Sequence, residues 1–140
     1  MSIPIKILIV EDEMIIAANI SLQLNKLGYK ISDIVPRGEE VIPSIIKNKP
    51  DIVLLDIQLK GELDGVETAK LIQKEIEIPI IFLTSNTDDI YFNRAKAVKP
   101  DAFLSKPFKK LDLQHAIELA VNRIMNEDKI ILISYFLICA

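Results

Sequence analysis

The sequence predicts an α/β fold: a doubly wound, five-stranded parallel sheet with five helices in (βα)5 order. Short aliphatic runs recur along the chain, and each is followed by a segment with apolar residues at helical spacing. Continuous apolar runs are typical of strands buried on both faces, and right-handed crossovers place helices on both faces of a parallel sheet. A length of 140 residues fits a single domain.

The first two units carry the clearest local signals. The first strand is predicted over residues 5–10, and the helix after it begins at Glu13. Its apolar positions recur at helical spacing and a glycine follows as C-cap: Ile16, Ile20, Leu24, Leu27 and Gly28. The second strand is predicted over residues 30–35 and its helix over residues 39–48. Because Pro43 has no backbone donor, we expect a kink or a late start in that helix.

Three further units complete the predicted alternation. Lys49-Pro50 ends the second helix, and the strands and helices that follow are predicted over residues 51–55, 64–75, 78–83, 88–98, 102–104 and 111–125. Residues 1–126 are therefore expected to form the domain, and residues 127–140 a hydrophobic tail of unknown status.

The tail is distinctive because, from residue 130 to residue 140, only Ser134 is polar. As a helix these residues would extend about 16 Å, roughly half of a bilayer's hydrocarbon core, so they do not predict a membrane span. The sequence leaves several roles open: an extension of the last helix, an added strand, the start of a truncated membrane segment, a cloning remnant, or a contact for self-association.

Charge and composition exclude several classes of protein. The chain has 17 basic and 20 acidic side chains, a net charge of −3, which argues against direct binding to nucleic acid. With 50% hydrophobic and 26% charged residues it is not a disordered sequence. The single cysteine, Cys139, cannot form an internal disulfide, and the first residues lack the pattern of a secretory signal. We therefore expect a cytoplasmic protein.

Polar side chains follow four of the predicted strands, at the edge where open α/β sheets bind ligands. Glu11 and Asp12 follow the first strand, Asp56 the third, Thr84 the fourth and Lys106 the fifth. Clustered carboxylates repel one another unless they share a cation, and oxygen ligands suit Mg²⁺. We predict Asp12 and Asp56 as direct ligands of Mg²⁺, with a backbone carbonyl after Asp56 as a third and Glu11 acting through water.

This set of groups suits the transfer of a phosphoryl group. A divalent cation, a lysine and a hydroxyl donor neutralise charge on phosphoryl oxygens, and a carboxylate can form an acyl phosphate. Asp56 is thus the predicted nucleophile, Lys106 the fixed cation and Thr84 a neutral donor. An acidic pair after a strand is more often only a favourable charge at a helix start. The joint occurrence of these residues at successive strand ends favours the functional interpretation.

The motifs around these residues resemble the receiver domain of two-component response regulators. The resemblance runs from about residue 6 to residue 124 and rests on ILIVEDE, DIVLLDIQL, LDGVETA, IIFLTS and AFLSKPF. It implies the flavodoxin-like, CheY-like form of the fold. It also implies that Asp56 accepts a phosphoryl group from a partner histidine kinase or phosphotransfer protein. Mg²⁺ would be held by Asp12, Asp56 and the main-chain carbonyl of Gln58.

The resemblance implies roles for other residues as well. Thr84 would swing toward the phosphoryl group, which Lys106 pairs with, and Phe103 matches the switch aromatic that turns inward. The Lys106-Pro107 bond looks like the family's cis peptide. Gln58 and Asn86 match positions that tune dephosphorylation. The expected output is a changed surface on the fourth helix, fifth strand and fifth helix, through which a homodimer is possible.

The sequence departs from the usual receiver pattern in three places, and two alternative functions stay open. Glu11 replaces the commoner aspartate, the loop IQLKGELDG is about one residue longer than usual and lacks its proline, and Phe103 has no hydroxyl. One alternative is a phosphohydrolase of the haloacid dehalogenase type, which needs an acid where Gln58 stands. The other is an interaction domain that works without phosphorylation. We expect no enzyme, but a phosphoacceptor with at most slow self-dephosphorylation.

Overall fold

The structure, a computed structural model, describes residues 3–85 and 89–139, without the side chains of residues 127–132. Its strands are β1 (Lys6–Val10), β2 (Lys30–Val35), β3 (Ile52–Asp56), β4 (Ile80–Thr84) and β5 (Ala102–Ser105). Its α-helices are α1 (Met14–Lys26), α2 (Val41–Asn48), α3 (Gly65–Glu75), α4 (Asp89–Ala97) and α5 (Lys110–Cys139). A 3₁₀ turn, Gly38–Glu40, precedes α2.

The five strands form one parallel sheet in the order β2-β1-β3-β4-β5, which confirms the predicted class. Helices α1 and α5 cover one face, and α2, α3 and α4 cover the other. Successive side chains of β1 enter opposite cores, Ile7 and Ile9 on the α1–α5 side and Leu8 and Val10 on the other. This burial on both faces explains why the strand sequences are continuous aliphatic runs.

Proline explains two differences between predicted and observed boundaries. The 3₁₀ turn comes first and α2 starts at Val41, so the predicted late start is confirmed. Pro43 then lies in the first turn of α2, where a backbone N–H has no partner within the helix. The fourth strand was predicted from Ile78 but begins at Ile80. Pro79 has no N–H to donate to the ladder, although its carbonyl accepts a bond of 3.0 Å from the Val53 N–H.

The last helix differs most from its prediction. It was expected to end near Met125, whereas α5 continues to Cys139 and takes most of the predicted tail into one helix. The large apolar side chains in its final turns are exposed, namely Ile133, Tyr135, Phe136, Leu137 and Ile138. Among the described residues, no helix has both the length and the apolar character required to cross a membrane.

Candidate functional site

Three acidic side chains converge at the carboxyl edge of the sheet. Because β1 and β3 are paired neighbours, Glu11 and Asp12, which follow β1, lie beside Asp56 at the end of β3. Each of the three residues offers a carboxylate oxygen, and these oxygens all lie within 4.8 Å of one another. Glu11 and Asp56 are buried and Asp12 is half-buried. The predicted acidic residues therefore form one cluster.

Lys106 is the cation that faces this cluster. Its ammonium group donates a hydrogen bond of 2.6 Å to Glu11 Oε1 and another of 2.9 Å to Asp56 Oδ2. Burial alone would lower the pKa of Lys106, but its two bonds to carboxylates raise it above the usual range. Lys106 is consequently a fixed positive charge that binds carboxyl groups at the ends of β1 and β3.

Glu11 is the carboxyl group of the cluster whose acidity is most clearly changed by its surroundings. Its pKa is raised to about 7, chiefly by burial and also by the neighbouring Asp56 carboxyl, while Lys106 opposes the rise. Glu11 is therefore less acidic than an exposed glutamate, although the Lys106 ammonium is bonded to it.

A divalent cation fits the cluster. Asp12 Oδ2 is buried and has no hydrogen-bond partner in the described part of the chain, which is costly for a carboxylate oxygen unless a cation binds it. Oxygen atoms from three carboxyl groups, with one face toward solvent, match the ligands that Mg²⁺ takes in proteins. These residues thus provide a suitable cradle for Mg²⁺.

The backbone sets the position of Lys106 relative to the fourth strand. The Lys106 N–H donates a bond of 2.7 Å to the carbonyl of Thr84, and the Lys106–Pro107 peptide bond is cis. Thr84 is buried at the end of β4 and is paired in register with Ser105 of β5. The predicted hydroxyl donor and lysine are therefore neighbours at the same edge of the sheet.

The two ends of the loop that joins Asp56 to α3 lie close together. Asp56 Oδ1 accepts a bond of 3.0 Å from the Gln58 N–H, and the Gly65 N–H donates one of 2.8 Å to the carbonyl of Ile57. A Cβ atom at Gly65 would overlap the Asp56 carbonyl oxygen and lie 2.7 Å from the Ile57 Cα. Glycine is required here because the backbone of α3 approaches the end of β3 so closely.

Phe103 packs on the face of the sheet that is covered by α2, α3 and α4. Its ring is half-buried between two others, with centroids 5.9 Å from Phe82 and 4.9 Å from Phe92 of α4. These tilted contacts are favourable aromatic geometries. The structure thus connects the predicted switch aromatic directly to α4.

The two residues expected to tune dephosphorylation have different outcomes. The Gln58 side chain is exposed, and its Oε1 accepts a long hydrogen bond of 3.5 Å from Ser85 Oγ. Asn86 lies outside the described residues. The roles expected of Gln58 and Asn86 in dephosphorylation both stay predictions.

Two contacts near the site were missed by sequence reasoning. Glu39 Oε1 accepts a hydrogen bond of 3.1 Å from the Leu63 N–H, and Arg94 forms an ion pair of 2.9 Å with Asp64. They join residues that are 24 and 30 positions apart. The only local signal was that Asp64 precedes the third helix with Glu67 three residues later, the pattern of a capping box.

Comparison with known proteins places the chain in a family. Residues 7–118 match the response regulator receiver domain. The chain is also 34% identical over 122 residues to the transcriptional regulatory protein PdtaR of Mycobacterium tuberculosis, a match that covers 87% of this chain and 59% of that protein. The transcriptional regulatory protein YvrH of Bacillus subtilis is 36% identical over 117 residues, which is 84% of this chain and 49% of the relative. The chain belongs to the receiver domains of response regulators.

Solved structures agree with this membership. The signal receiver domain of a modulated diguanylate cyclase from Desulfovibrio desulfuricans G20 has a TM-score of 0.84 and 41% identity, covering 89% of this chain and 99% of that one. The receiver domain of the sensor histidine kinase PA1611 from Pseudomonas aeruginosa PAO1 has a TM-score of 0.76 and 28% identity, covering 86% and 99%. That structure has a magnesium ion coordinated in its active site cleft. The chain thus spans only 59% and 49% of the lengths of these two curated relatives.

Proposed function

We propose that this protein is a phosphorylation-dependent signalling switch in which Asp56 accepts a phosphoryl group from a partner histidine kinase or phosphotransfer protein. The observation that carries this proposal is the contact of the Lys106 ammonium with both Asp56 and Glu11, beside the unpartnered Asp12 oxygen. Membership in the receiver family supports phosphotransfer signalling as the broader role.

The transfer is a substitution at phosphorus. A carboxylate oxygen of Asp56 attacks the phosphorus of a phosphohistidine, an O–P bond forms, and the P–N bond breaks with its electron pair left on the imidazole. The attacking carboxylate is buried and oriented in advance, because Lys106 and the Gln58 N–H each hold one of its oxygens.

Three groups of the site assist the transferred phosphoryl group. Lys106 supplies a fixed positive charge, and Thr84 supplies a hydroxyl donor from the neighbouring strand. Mg²⁺ would be held by Asp12, Asp56 and the main-chain carbonyl of Gln58, with Glu11 acting through water. When bound, it would neutralise charge on the phosphoryl oxygens.

The output of the switch would be a changed α4–β5–α5 surface. Thr84 and Phe103 lie on adjacent strands, and Phe103 packs against Phe92 of α4, so a movement of Thr84 toward the site has a direct route to α4. Changing a mostly inactive population into a mostly active one needs on the order of 5 kcal/mol of differential interaction. New charge-assisted contacts to a phosphoryl group supply interactions of that size.

Intact mass spectrometry tests the proposal. After incubation with Mg²⁺ and a small acyl phosphate such as acetyl phosphate, we expect the wild-type chain to gain the mass of one phosphoryl group. The variant Asp56→Asn, which keeps the size of the side chain and lacks the nucleophile, should gain none. Equal gain in both proteins, or no gain in either, would show that Asp56 is not the acceptor.

A second arm of the experiment separates the switch from a phosphohydrolase. A hydrolase would release phosphate from a simple phosphate ester in excess over the protein. Gln58 has no acidic proton for the leaving group, so we expect no turnover. Steady release of phosphate would favour the haloacid dehalogenase alternative.

A further inference from the structure

The loop between β3 and α3, residues 57–64, is held from outside by the 3₁₀ turn before α2. Glu39 of that turn accepts the 3.1 Å hydrogen bond from the Leu63 N–H. Both of its carboxylate oxygens also lie close to Gly61, at 3.8 and 3.9 Å from where a Cβ would be. Gly61 has a φ of +114°, a conformation that side-chain-bearing residues rarely adopt. One carboxylate therefore faces two residues of the loop.

A second residue of the 3₁₀ turn fixes the distance between turn and loop. A Cβ atom at Gly38 would overlap Thr68 Oγ1, lie 2.9 Å from the Leu63 Cβ and lie 3.3 Å from the Leu63 carbonyl oxygen. The turn and the loop are thus packed against each other without a gap. The contact between Glu39 and Leu63 is part of this close packing.

The β3–α3 loop borders the proposed metal site both at the start of the loop and at its tip. At its start, the Gln58 N–H contacts Asp56, and the Gln58 carbonyl is the proposed third ligand of Mg²⁺. At its tip, Lys60 and Gly61 line a groove of about 380 Å³ together with Asp12. A displacement of the loop would therefore change the surroundings of Asp12 and the position of the Gln58 carbonyl together.

This loop has a reason to need an external anchor. It is eight residues long and contains no proline, and residues 60–62 are exposed. Exposed loops with glycine sample many conformations unless hydrogen bonds hold them. A carboxylate that accepts from a backbone N–H makes a charge-assisted bond, stronger than one between neutral groups.

We propose that Glu39 is a positioning residue for the Mg²⁺ site, because its carboxylate holds the β3–α3 loop in the conformation that presents the Gln58 carbonyl beside Asp12 and Asp56. The proposal rests on the metal site of the proposed function. It adds a residue that touches neither the metal nor the phosphoryl group. Some residues orient the ligands of a metal without touching it, and their removal commonly weakens metal affinity by about tenfold or more.

The test is a Mg²⁺ titration of the full chain without any phosphodonor. Backbone amide chemical shifts of the isotope-labelled protein are followed by NMR as MgCl₂ is added at constant ionic strength. We expect Glu39→Ala to weaken Mg²⁺ binding by about tenfold. Glu39→Gln keeps an oxygen that can accept from the Leu63 N–H, so it should stay within about threefold of the wild type.

Glu40 provides the matched control. It is the next residue, it is also exposed, and Glu40→Ala changes the net charge by the same amount. We expect it to leave Mg²⁺ affinity within about twofold of the wild type, because it removes charge without removing the loop anchor. Thermal unfolding in EDTA should show that all three variants remain folded.

Three results would overturn the inference. Glu39→Ala could bind Mg²⁺ with wild-type affinity, Glu39→Ala and Glu40→Ala could lose Mg²⁺ affinity equally, or Glu39→Gln could bind Mg²⁺ as weakly as Glu39→Ala. The last two would assign the effect to charge instead of position. Absence of Mg²⁺ binding by the wild type would remove both the inference and the metal of the proposed function. Wild-type binding that Glu39→Ala leaves unchanged would remove the inference alone.

Discussion

Two neighbouring helices on the same face of the sheet, α3 and α4, are held in very different ways. Helix α3 has five buried residues, and it begins with a capping box in which Asp64 and Glu67 exchange side-chain and backbone hydrogen bonds. In α4 as described, Ala95 is the one fully buried residue. Tyr91 is partly buried against the same core, Arg94 forms an ion pair with Asp64, and Phe92 makes a ring contact with Phe103.

This difference in buried contacts agrees with the role that each helix has in the proposed switch. The start of α3 must stay in place, because it follows the loop that carries the Gln58 carbonyl. Helix α4 lies beside Phe103, a proposed switch residue, and an element with few buried apolar contacts can shift or open at small cost in free energy. Buried contacts are thus numerous in the helix next to the proposed chemistry and sparse in the helix where the output is expected.

The largest loss of stability is expected from a substitution at the start of α3. Gly65→Ala places a methyl group against the Asp56 carbonyl oxygen and the Ile57 Cα. We expect the free energy of unfolding, measured by urea denaturation, to fall by about 3 kcal/mol, since neither neighbour is a flexible side chain. As a control in α4, the exposed Asn93→Ala should change it by less than about 0.5 kcal/mol. Similar small changes in both variants would mean that α3 is not the rigid partner.

A smaller loss is expected at the ring contacts that connect α4 to the sheet. Phe103→Ala removes a half-buried ring from between Phe82 and Phe92, and we expect unfolding free energy to fall by about 2 kcal/mol. Phe103→Leu should retain most of the unfolding free energy that Phe103→Ala loses. A double-mutant cycle with Phe92→Ala should give a coupling energy of about 1 kcal/mol. Additive effects would indicate that the two rings do not stabilise each other.

Asp64 joins the two helices and should have an intermediate effect. Its Oδ1 caps α3 through the Glu67 N–H, and its Oδ2 accepts from Arg94. Asp64→Ala removes both contacts and should lower unfolding free energy by about 1.5 kcal/mol. Asp64→Asn keeps a capping oxygen and should cost about 0.5 kcal/mol. A loss in Asp64→Asn as large as in Asp64→Ala would assign the effect to the ion pair instead of the cap.

The smallest loss of stability is expected from removal of the Arg94–Asp64 ion pair, which connects α4 to the start of α3. Arg94 is 37% exposed, so solvent screens its ion pair, and Arg94→Ala should cost only about 0.5 kcal/mol. The local effect should be clearer, with faster hydrogen exchange of the α4 amides and unchanged exchange in α3. In 1 M salt the wild type should approach the variant. Equal acceleration in both helices would contradict the independence of α4.

Much of the site could be predicted because parallel strands place their carboxyl ends at one edge. The residues just after β1, β3 and β5 were therefore expected to meet, and Glu11, Asp56 and Lys106 do so. Helix boundaries followed short-range signals such as Gly28, which has a φ of +92° just after α1, and Asp64, which caps α3. The end of α5 was not predicted, because an apolar segment at that position was compatible with several structures.

Local sequence signals were enough to predict the α/β class, the alternation of strands and helices, and the identity of the polar residues at the strand ends. Each of these follows from hydrophobic periodicity or from turn and capping residues within a few positions. The tertiary structure decided the strand order, the sharing of Lys106 between Glu11 and Asp56, and the anchoring of the β3–α3 loop by Glu39. These contacts join residues from 24 to 95 positions apart, and only packing of the sheet and its helices brings such residues together.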